Sequence, residues 1–126
     1  MGDIPEPNRP GQLSSTDRAV GDARVVALSG EIDHSVREVF LAALLPAPTA
    51  TATGADVQRI VVDFGGVSFM DSTGINDLLT AHMRAADTGG WLRVAGASAP
   101  VRRVLELVGI DTVISCYATV EEALAA

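Results

Sequence analysis

Two hydroxyls stand beside a carboxylate in the segment Met70-Asp71-Ser72-Thr73-Gly74, and a second acid, Asp33, closes the run Ser29-Gly30-Glu31-Ile32-Asp33. Each segment follows an apolar, β-branched stretch and precedes a helical pattern, so each reads as a strand-to-helix turn. The first amides of a helix lack internal partners, and the macrodipole places partial positive charge on them. A phosphoryl group on Ser72 or Thr73 would meet those donors without opening the helix. Gly74 would let the backbone pass close to a ligand or partner surface. The plainer alternative is structural: Asp71 or Ser72 caps the helix, worth about 1 kcal/mol, and Gly74 only relieves crowding.

Other chemistry is excluded by residue type. All nine basic residues are Arg, so Schiff bases, a P-loop lysine and the lysine of a phospho-Asp receiver domain are absent. There is no G-x-S-x-G elbow, and the histidines are His34 and His82 alone. His82 lies on or beside an apolar helix face and reads as a partly buried structural residue, His34 as an exposed loop residue. Cys116 is the only cysteine, so no intramolecular disulfide and no zinc pattern exists. No catalytic residue, metal or cofactor is expected. Trp91 and Met83 read as core, and Arg102-Arg103 as a solvated helix face.

Those residues must be positioned by a single domain, since the chain has 126 residues. Such a length buries roughly two-thirds of the unfolded surface, enough for a core without staples. Residues 1–10, with three Pro, read as a disordered lead-in, and 11–126 as the domain. Gln12–Asp17 is a weak strand, and Arg24–Leu28 a better one that can pair with it as a hairpin. Ser35-Val36-Arg37-Glu38 has the form of a capping box, opening a helix through Val36, Val39, Phe40, Ala43 and Leu44. Pro46 to Gly54 is a low-complexity loop, and Ile60–Phe64 a central strand. After Gly65 to Met70 comes a helix with Ile75, Leu78, Leu79, Met83 and Ala86 on one face, stopped by Gly89-Gly90.

Trp91–Ala95 is a strand, and Ser98 caps a third helix with Val101, Val104, Leu105 and Val108 on one face. Val113–Tyr117 is a last strand, and Thr119 with Glu122 boxes a short terminal helix. The order β-β-α-β-α-β-α-β-α specifies an α/β fold with a mixed, largely parallel sheet. In such sheets binding groups gather beyond the carboxyl ends of strands, where Asp33 and Met70–Gly74 fall.

Val67-Ser-Phe-Met-Asp-Ser-Thr-Gly-Ile75, with Ser29-Gly-Glu-Ile-Asp33 upstream and the later Pro-Val-x-Arg-Val-Leu-Glu-Leu-x-Gly-Ile stretch, resembles the STAS domain of anti-sigma factor antagonists over about residues 12–126. The resemblance implies a STAS-like fold and a partner anti-sigma factor with a kinase fold. That partner phosphorylates the hydroxyl directly after the motif Asp, which is Ser72 here, with Thr73 the secondary candidate. It further implies that the unphosphorylated antagonist binds the anti-sigma factor and frees the sigma factor, regulating sigma-dependent transcription. Phosphorylation ends that binding, and a metal-dependent serine/threonine phosphatase restores it. Asp33, Asp71, Ser72, Thr73, Gly74, Ile75 and Asn76 are the implied partner-binding residues. Asp33 is either a partner-engaging acid or an extra helix-start acid beside Ser35. Asp71 either orients the hydroxyl or favours the helix N-terminus.

The family usually continues as Gly-Leu-Gly, whereas this chain reads Gly74-Ile75-Asn76-Asp77, adding a side chain and a charge where the partner meets bare backbone. A phosphate on Ser72 would add about -1.5 to -2 charges beside Asp71 and Asp77. The net charge of -7, from 16 acidic and 9 basic residues, points away from nucleic acid and anionic membranes. With no apolar run of about 18 residues and no basic, apolar leader at the start, a cytoplasmic protein is expected, monomeric but for its partners. The competing expectation is a STAS scaffold without a phosphorylation cycle, in a stressosome-like or lipid-transport assembly.

Overall fold

The structure, a computed structural model, describes residues 13–44 and 57–126; the lead-in over 1–10 and the Pro46 to Gly54 loop expected from sequence lie outside them. The elements are β1 (Leu13–Val20), β2 (Ala23–Ile32), a 3₁₀ turn (His34–Val36) running into α1 (Arg37–Leu44), β3 (Arg59–Met70), α2 (Ser72–Asp87), β4 (Trp91–Ala95), α3 (Ala99–Leu107), a 3₁₀ turn (Ile110–Thr112), β5 (Cys116–Tyr117) and α4 (Val120–Ala125). The sheet order is β1-β2-β3-β4-β5, antiparallel between the first two strands and parallel thereafter. This is the mixed, largely parallel α/β order legible in the sequence.

Parallel neighbours laid down in chain order, each through a crossover of one hand, put α1, α2 and α3 on a single face of the sheet. That face carries the main core. Val26, Val62 and Val94 from three strands pack with Phe40 of α1, Leu78 of α2 and Leu105 of α3, all essentially inaccessible. Each large side chain buried there contributes about 1.5–3 kcal/mol. On the other face, among the described residues, Val25, Val61 and Ala95 pack with Ala123 of the short α4, with Trp91 and Tyr117 at the margin. The cation Arg24 is half-buried on β2 because it closes the end of α1. Its guanidinium donates to the carbonyls of Ala43 and Leu44 at 3.1 and 2.7 Å and pairs with Asp17 of β1.

Several local expectations are corrected. Gly65 to Met70 is strand, not connection: β3 runs twelve residues to Met70. β4 stops opposite Asp63, while β2 continues beside β3 through register shifts at Ala27/Ser29 and Gly30/Glu31. Gly66 permits the bulged approach, since a Cβ there would lie 2.8 Å from the Leu28 carbonyl oxygen. Ser98 sits at the N-cap position of α3 without a side-chain cap; its hydroxyl donates to the Val67 carbonyl at 3.1 Å, on β3 beyond the reach of β4.

The last strand is only Cys116–Tyr117, because the 3₁₀ turn at Ile110–Thr112 takes up the chain before it. In α2 the buried row is Gly74, Ile75, Asp77, Leu78, Ala81 and Ala85, so Met83, expected in the core, is 63% exposed. The two alanines let α2 settle closely on the sheet and turn Met83 and Ala86 outward. Val39 and Val108, assigned to apolar faces, are likewise exposed. Half of the Thr119–Glu122 box forms: Thr119 Oγ1 accepts from the Glu122 amide at 3.1 Å, but Glu122 Oε1 accepts from the Ala118 amide at 3.3 Å, one residue before the cap.

Candidate functional site

The carboxyl ends of β2 and β3 lie side by side, with Ile32 opposite Met70 in register. The Asp71 amide donates to the Ile32 carbonyl at 3.1 Å, so the two strand-to-helix turns abut. Asp33 and Asp71 each leave their strand in extended conformation and cap the helical turn that follows. Sequence spacing thus brings both candidate carboxylates to the carboxyl ends of two neighbouring inner strands.

At the α2 turn the carboxylate of Asp71 accepts from the Thr73 amide at 2.9 Å and the Gly74 amide at 3.3 Å. Asp71 is therefore the N-cap, the first of the two structural readings. Ser72 follows as the first helical residue and is exposed. Its hydroxyl has no hydrogen-bond partner among the described residues, whereas Thr73 is half-buried. Asp71 occupies the Thr73 and Gly74 donors, so of the helix-start amides that the sequence offered to a phosphoryl group only that of Ser72 has no acceptor among the described residues. A group on Ser72 would point into solvent or onto a partner.

Gly74 and Ile75 are buried, and Asn76 is exposed one turn beyond Ser72. A Cβ at Gly74 would stand 2.7 Å from Cγ2 of Ile32 and 2.9 Å from Cγ of Met70. The close approach that Gly74 permits is to the protein's own strands, rather than to a partner surface. At the α1 turn the cap is Asp33, not Ser35: Asp33 Oδ1 accepts from the Ser35 amide at 2.9 Å and from the Ser35 hydroxyl at 2.5 Å. The Ser35-to-Glu38 capping box does not form, because a 3₁₀ turn begins one cap earlier. The Ser35 hydroxyl, then its amide, hold the Asp33 carboxyl below the usual carboxylate range.

Asp77 is the largest correction. The sequence placed its charge beside Ser72, yet it is 2% exposed and its Oδ1 accepts from Arg37 Nε at 3.0 Å, between α2 and α1. The acidity around Ser72 comes from Asp33 and Asp71 alone among the three named acids. Arg37 was missed altogether. The available signal was Asp77 itself, a charge set between Gly74 and Ala81 on the apolar stripe of a helix, which requires a cation on the facing element. His34 is exposed and His82 half-buried, as read from sequence, and the Nδ1 of His82 has no partner among the described residues.

The five-stranded, mostly parallel sheet with its helices matches the STAS fold, and solved structures of that fold superpose on it. One is an anti-sigma factor antagonist from Mycobacterium paratuberculosis, 25% identical with a TM-score of 0.77, covering 94% of this chain and 96% of that one. Another is the Bacillus protein SpoIIAA in its phosphorylated form, 28% identical with a TM-score of 0.63, covering 89% and 97%. A protein from Paenibacillus polymyxa named anti-sigma F factor antagonist is 27% identical over 93 residues, 74% of this chain and 76% of its own length. The family model described as "Mlab, STAS domain" matches residues 15–115, and the chain belongs to that family. No helix among the described residues is long and apolar enough to cross a membrane.

Proposed function

We propose that this protein is an anti-sigma factor antagonist that binds its anti-sigma factor while Ser72 is unmodified and releases it when Ser72 is phosphorylated. The observation that carries the reading is the exposed Ser72 hydroxyl, without a hydrogen-bond partner among the described residues, at the start of α2, directly after one capping Asp and alongside another. That SpoIIAA has been solved in both unphosphorylated and phosphorylated forms supports a covalent switch in this fold. The partner doubles as the kinase, a serine/threonine phosphatase resets the switch, and the cycle runs in the cytoplasm. Asp33, Asp71, Ser72 and Asn76 meet the partner directly, Thr73 at the margin; Gly74 and Ile75 act from beneath by setting the height of the α2 start.

The switch acts by local charge. Asp33 and Asp71 already make this end of the sheet negative, and the Thr73 and Gly74 amides are committed to Asp71. A phosphate adds about -1.5 to -2 charges that a partner fitted to a neutral hydroxyl must desolvate. The cost is about 3 kcal/mol or more, on the order of 100-fold in Kd. The test is intact-mass analysis after incubation with ATP and the kinase-fold anti-sigma factors of the same genome. A gain of about 80 Da, one phosphate, is expected in the wild type and absent in Ser72→Ala. Calorimetry should find Ser72→Asp folded but unable to bind. No mass gain with any such kinase sinks the switch, and undiminished affinity of Ser72→Asp sinks the charge mechanism.

A further inference from the structure

Among the described residues, Asp77 is the single polar or charged side chain in the buried interior. Its Oδ1 accepts from Arg37 Nε at 3.0 Å, and its Oδ2 has no partner among the described residues. The Arg37 side chain is 61% exposed, so one end of the pair sits in water and the other in the seam between α1 and α2. A buried carboxylate with one oxygen unsatisfied is a poor source of stability, and an apolar side chain of similar size would stabilise the same seam more. What an apolar contact lacks is direction. The Nε–H···Oδ1 bond fixes one residue of α1 against one residue of α2.

The position of that bond gives it a use. The hydrogen bond from the Asp71 amide to the Ile32 carbonyl joins the two turns at the strand ends, and the apolar packing of Phe40 and Leu78 seats the helices on the sheet without a directional bond from one to the other. Arg37 lies four residues beyond the Asp33 cap, and Asp77 six beyond the Asp71 cap. The Arg37–Asp77 bond adds a second, directional tie between the two helices, just beyond the two turns. We propose that Asp77 is a positioning residue: by gripping Arg37 it holds the start of α1, with Asp33, against the start of α2, with Ser72. The proposal rests on the reading of those two turns as one partner-binding surface, and it concerns how this chain presents them.

The experiment uses the free protein, so failure of the phosphorylation switch would leave its outcome unaffected. Amide shifts and hydrogen exchange are compared by NMR in the wild type, Arg37→Lys, Asp77→Asn and the apolar double variant Arg37→Met/Asp77→Leu. The double variant should match or exceed the wild-type urea midpoint, yet shift the amides of His34, Ser35, Ser72 and Thr73 and exchange them severalfold faster. Arg37→Lys, which keeps the cation, should retain the wild-type pattern. Should the double variant not fold, Asp77→Asn is expected to give the same local changes in weaker form. Wild-type shifts and exchange at both turns, in whichever of the two is folded, would overturn the proposal and reduce the pair to packing.

Discussion

The starts of α1 and α2 are built on one plan and end with different surfaces. In both, an Asp follows the last residue of a parallel strand and accepts from the amide two residues on, Ser35 in one case and Thr73 in the other. Three residues after the cap they part: the 3₁₀ turn into α1 has Val36, buried as a full side chain, and α2 has Gly74, pressed on Ile32 and Met70. The hydroxyls part as well. Ser35, two after its cap, folds back onto Asp33, whereas Ser72, one after its cap, engages nothing described. Similar capping chemistry therefore yields one closed turn and one that offers a nucleophilic hydroxyl. What distinguishes them is whether the hydroxyl two after the cap bonds it, as Ser35 does and Thr73 does not among the described residues, and the depth at which the helix sits.

The largest structural effect should come from giving α2 the side chain that α1 already carries. Gly74→Val places methyls against Ile32 and Met70, both nearly inaccessible, and overpacking of that kind costs about 1–3 kcal/mol. Urea denaturation should find the variant destabilised by that amount, and a shift within 0.5 kcal/mol, about the size expected for surface substitutions, would mean α2 has room to rise. Next in size is Asp71→Ala, which leaves the Thr73 and Gly74 amides without their acceptor and should cost about 1 kcal/mol. Asp33→Ala should cost less, since the turn it caps is a three-residue 3₁₀ element rather than a sixteen-residue helix. Equal losses from the two alanine variants would erase the distinction between the turns.

The element order was legible because each strand and helix carried its own period, and Ile60–Phe64 and Trp91–Ala95 stood out as apolar runs. The junction of the two turns was legible only as topology. The details that failed share a cause: a local signal competed with a tertiary partner that sequence does not display. Ser35-to-Glu38 had the form of a capping box, but Asp33 lay one turn-start earlier and captured the Ser35 hydroxyl. Gly65-Gly66 suggested a break, but a neighbouring strand running alongside kept the chain extended. Met83 fitted the helical period as well as Ala81, and close packing on the sheet chose the alanine. Asp77 looked like surface acidity because nothing in its own segment announced Arg37, forty residues away.

The smallest effect tests the closed turn itself. Asp33 is held below the usual carboxylate range, first by the Ser35 hydroxyl and second by the Ser35 amide. A carboxyl depressed in the folded state binds its proton less readily there than in the unfolded chain. Its contribution to stability is therefore complete above the unfolded value of about 3.9 and is lost as pH falls through the folded one. Ser35→Ala removes the larger cause and leaves the amide, so the Asp33 midpoint should move up without reaching its ordinary value. Carboxyl-detected NMR titration reads this directly, and stability at neutral pH should change little because the group lies at the surface. An unmoved midpoint would mean that Ser35 does not close on its cap. Its hydroxyl would then be as open as that of Ser72, and the contrast between a closed turn and an open one would be lost.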